Sequence, residues 1–150
     1  MKILIITHSS LHGLNQKQAM ECMNILGSSY EYRIIGDPES VDKDLIEDMD
    51  KIIMIVPEWN ASFPFSFKKL IDDSGHPSWL KGIPILLIGT SNTTFGNIMG
   101  ITHLKHILEW IGADVFPKLI CVPHIDKKFA NNNIIIDERL QKNLNEFITK

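Results

Sequence analysis

Four stretches of the chain are apolar without interruption: Ile3–Ile6, Ile52–Val56, Ile85–Ile88 and Leu119–Val122. A strand with one wet face alternates polar and apolar positions. A strand covered on both faces need not, so these runs predict the interior of a parallel sheet. A fifth segment, Tyr30–Ile34, carries Glu31 and Arg33 within it and predicts an edge strand. Between the runs the apolar spacing changes to the helical period. Ala19, Cys22, Met23 and Leu26 recur at helical intervals up to a stop at Gly27. Phe67, Leu70 and Ile71 line one side of a segment opened by Pro64. Ile101, Leu104, Ile107, Leu108 and Ile111 form the longest stripe, which ends at Gly112. Leu140, Leu144, Phe147 and Ile148 mark a C-terminal helix, and Asp42–Met49 predicts a short one before the third strand.

Strand and helix therefore alternate along the chain, which calls for parallel strands joined by right-handed crossovers. The expectation is an α/β fold: a flavodoxin-like three-layer sandwich with a five-stranded parallel sheet of order 2-1-3-4-5. The charged second strand then lies at an edge, and residues 1–150 form one domain. Sheets of this kind bind ligands beyond the carboxyl ends of the strands, where the strand order reverses. That rule selects the loops after strands one and three, His8–Asn15 and Pro57–Phe63, before their chemistry is considered.

Composition narrows the field. A hydrophobic fraction of 44% with 22% charged residues is that of a water-soluble globular chain. The net charge of −3, with 15 basic and 18 acidic residues, argues against nucleic acid as the main partner. No apolar run approaches the length of a membrane span. The first run stops at Thr7-His8-Ser9, too early for a signal peptide, and the expected location is the cytoplasm. Cys22 and Cys121 have neither CxxC nor CxxH spacing, so no redox or metal role is assigned and both are expected in the core. The sequons at Asn60 and Asn92 carry little weight in a protein that is not secreted.

Three loops carry candidate chemistry. In the first, Ser9, Ser10 and Asn15 are short polar donors, Gly13 lets the backbone turn closely, and a helix start follows. No Walker lysine motif and no GxGxxG occur, so a terminal monophosphate suits this loop better than a triphosphate or dinucleotide. A plain N-cap with a polar turn has the same composition. The second loop, Pro57-Glu58-Trp59-Asn60-Ala61-Ser62-Phe63-Pro64, sets an acid, an indole and an amide between two prolines, groups able to stack on and hydrogen-bond a flat heterocycle. An ordinary strand-to-helix connection is the alternative. The third loop, Gly89–Asn97, is polar and glycine-bracketed, and the topology brings it to the same crevice.

These residues carry a resemblance. Pro57–Pro64, continued through Phe67-Lys68-Lys69-Leu70-Ile71-Asp72, is similar to the PEYNxSxPxxLKNxID run of the NADPH-dependent FMN reductases, flavodoxin-like proteins that include azo-dye, quinone and chromate reductases. Leu80-Lys81-Gly82-Ile83-Pro84 and His103-Leu104-Lys105 add to it, as do Ser10-Leu11 and Asn15–Ala19. The resemblance implies FMN held noncovalently, reduced by NAD(P)H and reoxidised by a quinone, azo compound, metal oxyanion or free flavin. It places Ser10, His12 and Asn15 around the phosphate, beside the Ser9 and Gly13 that the loop itself offers. Pro57, Glu58, Trp59, Asn60 and Ser62 would line the isoalloxazine, and Thr90, Ser91 and Gly96 its other edge. It further implies a homodimer or homotetramer. The chain departs from the family pattern in a first loop about two residues shorter, in His12 where Arg is usual, in Trp59 for Tyr, and in Thr93, Thr94 and Asn97 at a glycine-rich turn.

Hydride transfer to a flavin demands no protein acid or base, so no catalytic residue is named. Glu58 reads either as a ring-edge or inter-subunit contact or as a solvated carboxylate at a helix start. Trp59 reads either as a stacking wall or as a subunit contact. A phosphate ligand at His12 predicts FMN binding that tightens as pH falls. The departures support a rival reading, a flavodoxin-like interaction module with weak or lost flavin binding. A pure electron carrier fits less well, because its usual strongly acidic face is missing here.

Overall fold

In a computed structural model that describes residues 1–10, 13–130 and 137–150, five parallel strand positions form one sheet. β1 (Lys2–Ile6), β2 (Glu31–Ile35), β3 (Lys51–Pro57) and β4 (Pro84–Thr90) lie in the order β2-β1-β3-β4, and the fifth position follows β4. Odd-numbered residues of β1 and β3 (Ile3, Ile5, Ile53, Ile55) face one layer, together with Leu86 and Ile88 of β4. That layer is formed by α1 (Leu14–Leu26) and α6 (Glu138–Thr149). The opposite face, with Leu4, Ile6, Ile52, Met54, Val56, Ile85 and Leu87, is covered by α2 (Lys43–Glu47), α3 (Phe65–Asp73) and α4 (Ile98–Trp110). Ile3–Ile6, Ile52–Val56 and Ile85–Ile88 are all fully buried. Two covered faces explain why these runs never alternate, and each such side chain contributes about 1.5–3 kcal/mol by leaving water. β2 is the exposed edge, as its charges indicate.

The helices begin and end where local chemistry dictates. Gly27, at φ +79°, closes α1, with its N–H donating to the Met23 carbonyl. Asp42 and Asp137 accept backbone N–H groups at the starts of α2 and α6. Pro64 opens α3 without a side-chain cap.

The fifth strand differs from the expectation. It is split into β5 (Asp114–Val115), beside Pro84 and Ile85, and β6 (Ile120–Val122), beside Ile88, Gly89 and Thr90. Pro117 lies between the halves and has no N–H to give a ladder. The first half carries Asp114 and is too short to register as an apolar run. A short helix, α5 (Ile125–Lys128), and a 3-10 turn at Pro38–Ser40 are likewise additions that periodicity does not reveal. Among the described residues, no helix is long and apolar enough to cross a membrane.

Candidate functional site

The carboxyl ends of β1, β3, β4 and β6 open onto one rim, where four loops are tied together by named hydrogen bonds. Asn15, fully buried in the first turn of α1, makes the principal tie. Its Nδ2 donates to the carbonyls of His8 (3.1 Å) and Ser10 (3.2 Å), and its Oδ1 accepts from Thr90 Oγ1 at 2.7 Å. Both amide protons are thereby engaged within the protein. Asn15 shapes the first loop and bolts it to the end of β4, and Thr90 is the other half of that bolt.

The remaining first-loop residues are placed differently. Ser9 is exposed, and Gly13 adopts φ +78° as the N-cap of α1. Among the described residues, the α1 start has no side-chain cap and its own first turn carries no acid, so free N–H groups and a positive dipole end are left there. The Ser10 N–H donates to His8 Nδ1 at 3.0 Å. Ser10 Oγ is buried and has no hydrogen-bond partner among the described residues. His12 lies outside the described residues.

The loop after β3 is a tight hairpin. Trp59 and Ser62 exchange both backbone hydrogen bonds (3.0 and 2.9 Å), with Asn60 and Ala61 at φ +49° and +59°. Positive φ at both central positions is the signature of a type I′ turn, and Asn accepts it readily whereas Ala is strained there. Pro57 ends β3 opposite Thr90, and the Glu58 N–H donates to the Thr90 carbonyl at 2.9 Å. The missing N–H of Pro57 would point to the other side, where pairing with β1 has already stopped at Met54. The Trp59 indole is 41% exposed and meets the His8 imidazole edge to face, centroids 5.1 Å apart. The hairpin sits on α4: a Cβ on Gly100 would lie 2.6 Å from the Ser62 carbonyl.

The loop after β4 is saturated internally. Ser91 Oγ accepts the N–H groups of Thr93 (3.2 Å) and Gly96 (3.1 Å) and lies 3.0 Å from Thr93 Oγ1. Thr93 Oγ1 in turn reaches Glu58 Oε2 at 3.4 Å. Gly96 is buried against β6, where a Cβ would come within 2.7 Å of the Val122 nitrogen.

Several residues at this rim have roles that sequence reasoning does not give. Asn97, at φ +61°, caps α4 by accepting the Gly100 N–H and donates to the Val56 carbonyl at 3.0 Å. An Asn directly before an apolar helix is the N-cap signal that could have found it. The His124 and Ile125 N–H groups donate to the Thr93 and Ser91 carbonyls, docking the start of α5 on the third loop. Behind it, Lys128 Nζ donates to Glu21 Oε2 (2.5 Å) and Gln18 Oε1 (3.0 Å), a buried network that joins α5 to α1. No spacing rule links positions over 100 residues apart. Beside that network, burial pushes the Cys22 thiol up to about 12, which leaves it an unreactive core residue, whereas Cys121 is half-buried. His103 and His106 stand exposed on the outer side of α4.

The donors of the first loop, its uncapped helix and the half-exposed indole opposite fit a phosphorylated flat ring. A family model described as NADPH-dependent FMN reductase matches residues 1–126. A curated relative, the 2-hydroxy-1,4-benzoquinone reductase of a Burkholderia species, is 27% identical over 113 residues, or 72% of this chain. The chain spans 61% of that relative's length. Among solved structures, FerB, a flavoenzyme NAD(P)H:(acceptor) oxidoreductase from Paracoccus denitrificans, aligns with a TM-score of 0.82 at 22% identity, covering 99% of this chain and 95% of that one. Oxidised flavodoxin 1 from Bacillus cereus aligns at 0.72 and 19% identity, with 99% and 98% covered. At such identities these structures establish the flavodoxin-like fold alone. The family match spans most of the chain, and with it the protein belongs to the NADPH-dependent FMN reductase family.

Proposed function

We propose that the protein is an FMN-dependent NAD(P)H oxidoreductase that passes reducing equivalents to a small acceptor, with a quinone as the first candidate. One observation carries the reading: a buried Ser10 hydroxyl without a partner among the described residues, three residues ahead of the uncapped start of α1. Buried polar groups in folded proteins are satisfied by something. Ser9, Ser10 and the backbone at Gly13 would hold the phosphate. Pro57, Glu58, Trp59, Asn60 and Ser62 would border the ring, with Thr90, Ser91 and Gly96 shaping the far side. When bound, the flavin supplies the hydride and electron chemistry. The protein's part is to fix the ring's position and exclude water from one face. The quinone assignment follows the activity named for the Burkholderia relative.

A homodimer or homotetramer belongs to this reading. Met99, His103, His106 and Trp110 recur along the outer side of α4, with Phe95 just before it. Met99 and Trp110 are 67% and 89% exposed, and such a stripe supports a contact between copies.

The test is direct. Purified protein mixed with FMN is expected to retain a yellow chromophore absorbing near about 450 nm, bleached by NAD(P)H and restored by a benzoquinone. Protein that takes up no FMN at micromolar concentration supports the interaction module instead. Sedimentation of the wild type beside Met99→Glu tests the assembly, with dissociation expected in the variant.

A further inference from the structure

His8 stands at the junction of the first two loops, and its ring already holds a donor that an anion would take. Nδ1 accepts the Ser10 N–H at 3.0 Å. A ring nitrogen that accepts carries no proton, so the imidazole is neutral with its hydrogen on Nε2. The ring rests edge-on against Trp59, while the His8 carbonyl is held by Asn15 Nδ2 at 3.1 Å. The backbone is therefore fixed, and the side chain is held by one hydrogen bond and one aromatic contact. On the same residue as the amide it holds, Ser10 Oγ is buried without a partner among the described residues, and the Ser10 carbonyl accepts from Asn15 in the uncapped first turn of α1.

We infer that His8 selects for the phosphate of a flavin mononucleotide: the imidazole holds the Ser10 N–H in the flavin-free protein, yields it to a phosphate oxygen, and then binds that phosphate as a protonated ring. This rests on the flavin reading above. One N–H···N bond breaks, one N–H···O bond forms, and Nδ1 takes a proton from solvent. Protonation turns Nδ1 from acceptor to donor, so it releases the amide and brings a positive charge to the anion.

The groups facing the ring act in opposite senses. Burial holds it below its ordinary value near 6.5, while the carboxylates of Asp37 and Glu39, on the turn after β2, favour the charged form. Trp59, on the remaining side, is uncharged. A bound phosphate adds to the second group. FMN affinity is therefore expected to rise as pH falls through the ring's titration, whereas riboflavin, which lacks the phosphate, gains nothing.

The experiment measures the dissociation constants of FMN and riboflavin for the flavin-free protein, by quenching of flavin fluorescence, from about pH 8 to about pH 5.5. A one-unit rise of the ring's value on binding corresponds to a Kd about tenfold lower at the acid end. FMN itself takes up a proton near about pH 6, so the readout is the difference between wild type and His8→Asn, whose Oδ1 still accepts the amide but does not titrate. The expected result is a tightening present in wild type and absent in His8→Asn, with riboflavin flat throughout. The ¹⁵N shifts of the His8 ring in wild type are expected to move from the neutral to the protonated pattern when FMN is added, a readout available even if the variant fails to fold. Identical FMN profiles for wild type and His8→Asn, or ring shifts that FMN leaves unmoved, overturn the assignment. Binding of both flavins without pH dependence removes His8 and leaves the flavin reading standing. Failure of both flavins to bind removes the two together.

Discussion

The loops after β1 and β4 meet at one rim of the sheet, yet they treat their polar groups in opposite ways. After β4, the Ser91 hydroxyl gathers two backbone N–H groups, the Thr93 carbonyl takes the His124 N–H, and the Asn97 carboxamide is engaged at both ends. After β1, the Ser10 hydroxyl is buried without a partner among the described residues, and an imidazole takes up the Ser10 amide. A loop closed on itself serves as scaffold. A loop with a buried donor left over is the one proposed above to take the ligand.

The saturated loop is expected to break hardest at Gly96. Its φ is +58°, and a Cβ would stand 2.8 Å from Cys121 Cβ as well as 2.7 Å from the Val122 nitrogen. Gly96→Ala should cost about 3 kcal/mol or more, read as a lower urea midpoint at unchanged slope. Thr90→Val cuts the bolt between the two loops. It keeps the side-chain shape but leaves the buried Asn15 Oδ1 without its donor, a loss of about 1–3 kcal/mol in the same measurement.

Ser10→Ala sharpens the comparison, because the hydroxyl it removes has no partner to lose among the described residues. Stability should stay within about 0.5 kcal/mol of wild type. FMN binding should weaken about tenfold, as expected for one lost hydrogen bond to a charged group, with riboflavin binding unchanged by the same titration. The smallest effect is the pH dependence of the flavin-free fold. The unfolded His8 ring binds its proton near 6.5, while burial lowers the folded value. Within that window the unfolded state holds more protons, so stability is full above it and declines as pH falls through it. Thermal midpoints taken in small pH steps should show this slope, and it should shrink in His8→Asn.

Much of the architecture was legible in the chain. Uninterrupted apolar runs are possible only where both faces of a strand are covered, which Ile3–Ile6 and Ile52–Val56 satisfy in full. Gly27 and Pro64 mark helix ends because their backbone limits act locally. The split fifth strand escaped notice because Asp114–Val115 is too short and too polar to show a period. The same limit applied at the rim. Polar loop residues looked interchangeable as ligand donors in sequence, yet Asn15, Thr90 and Ser91 turned out to be engaged with the protein, and His8 came forward from a run of polar letters.

The order of elements, the parallel sheet and the rim where the strands end follow from hydrophobic period and crossover handedness, both properties of short segments. Which hydroxyl is left without a partner does not. That depends on pairs such as Asn15 with Thr90 and Glu21 with Lys128, distant in the chain and within 2.7 Å in space. A hydrogen bond acts over less than one residue's length, so only packing of the assembled layers decides which groups are in reach.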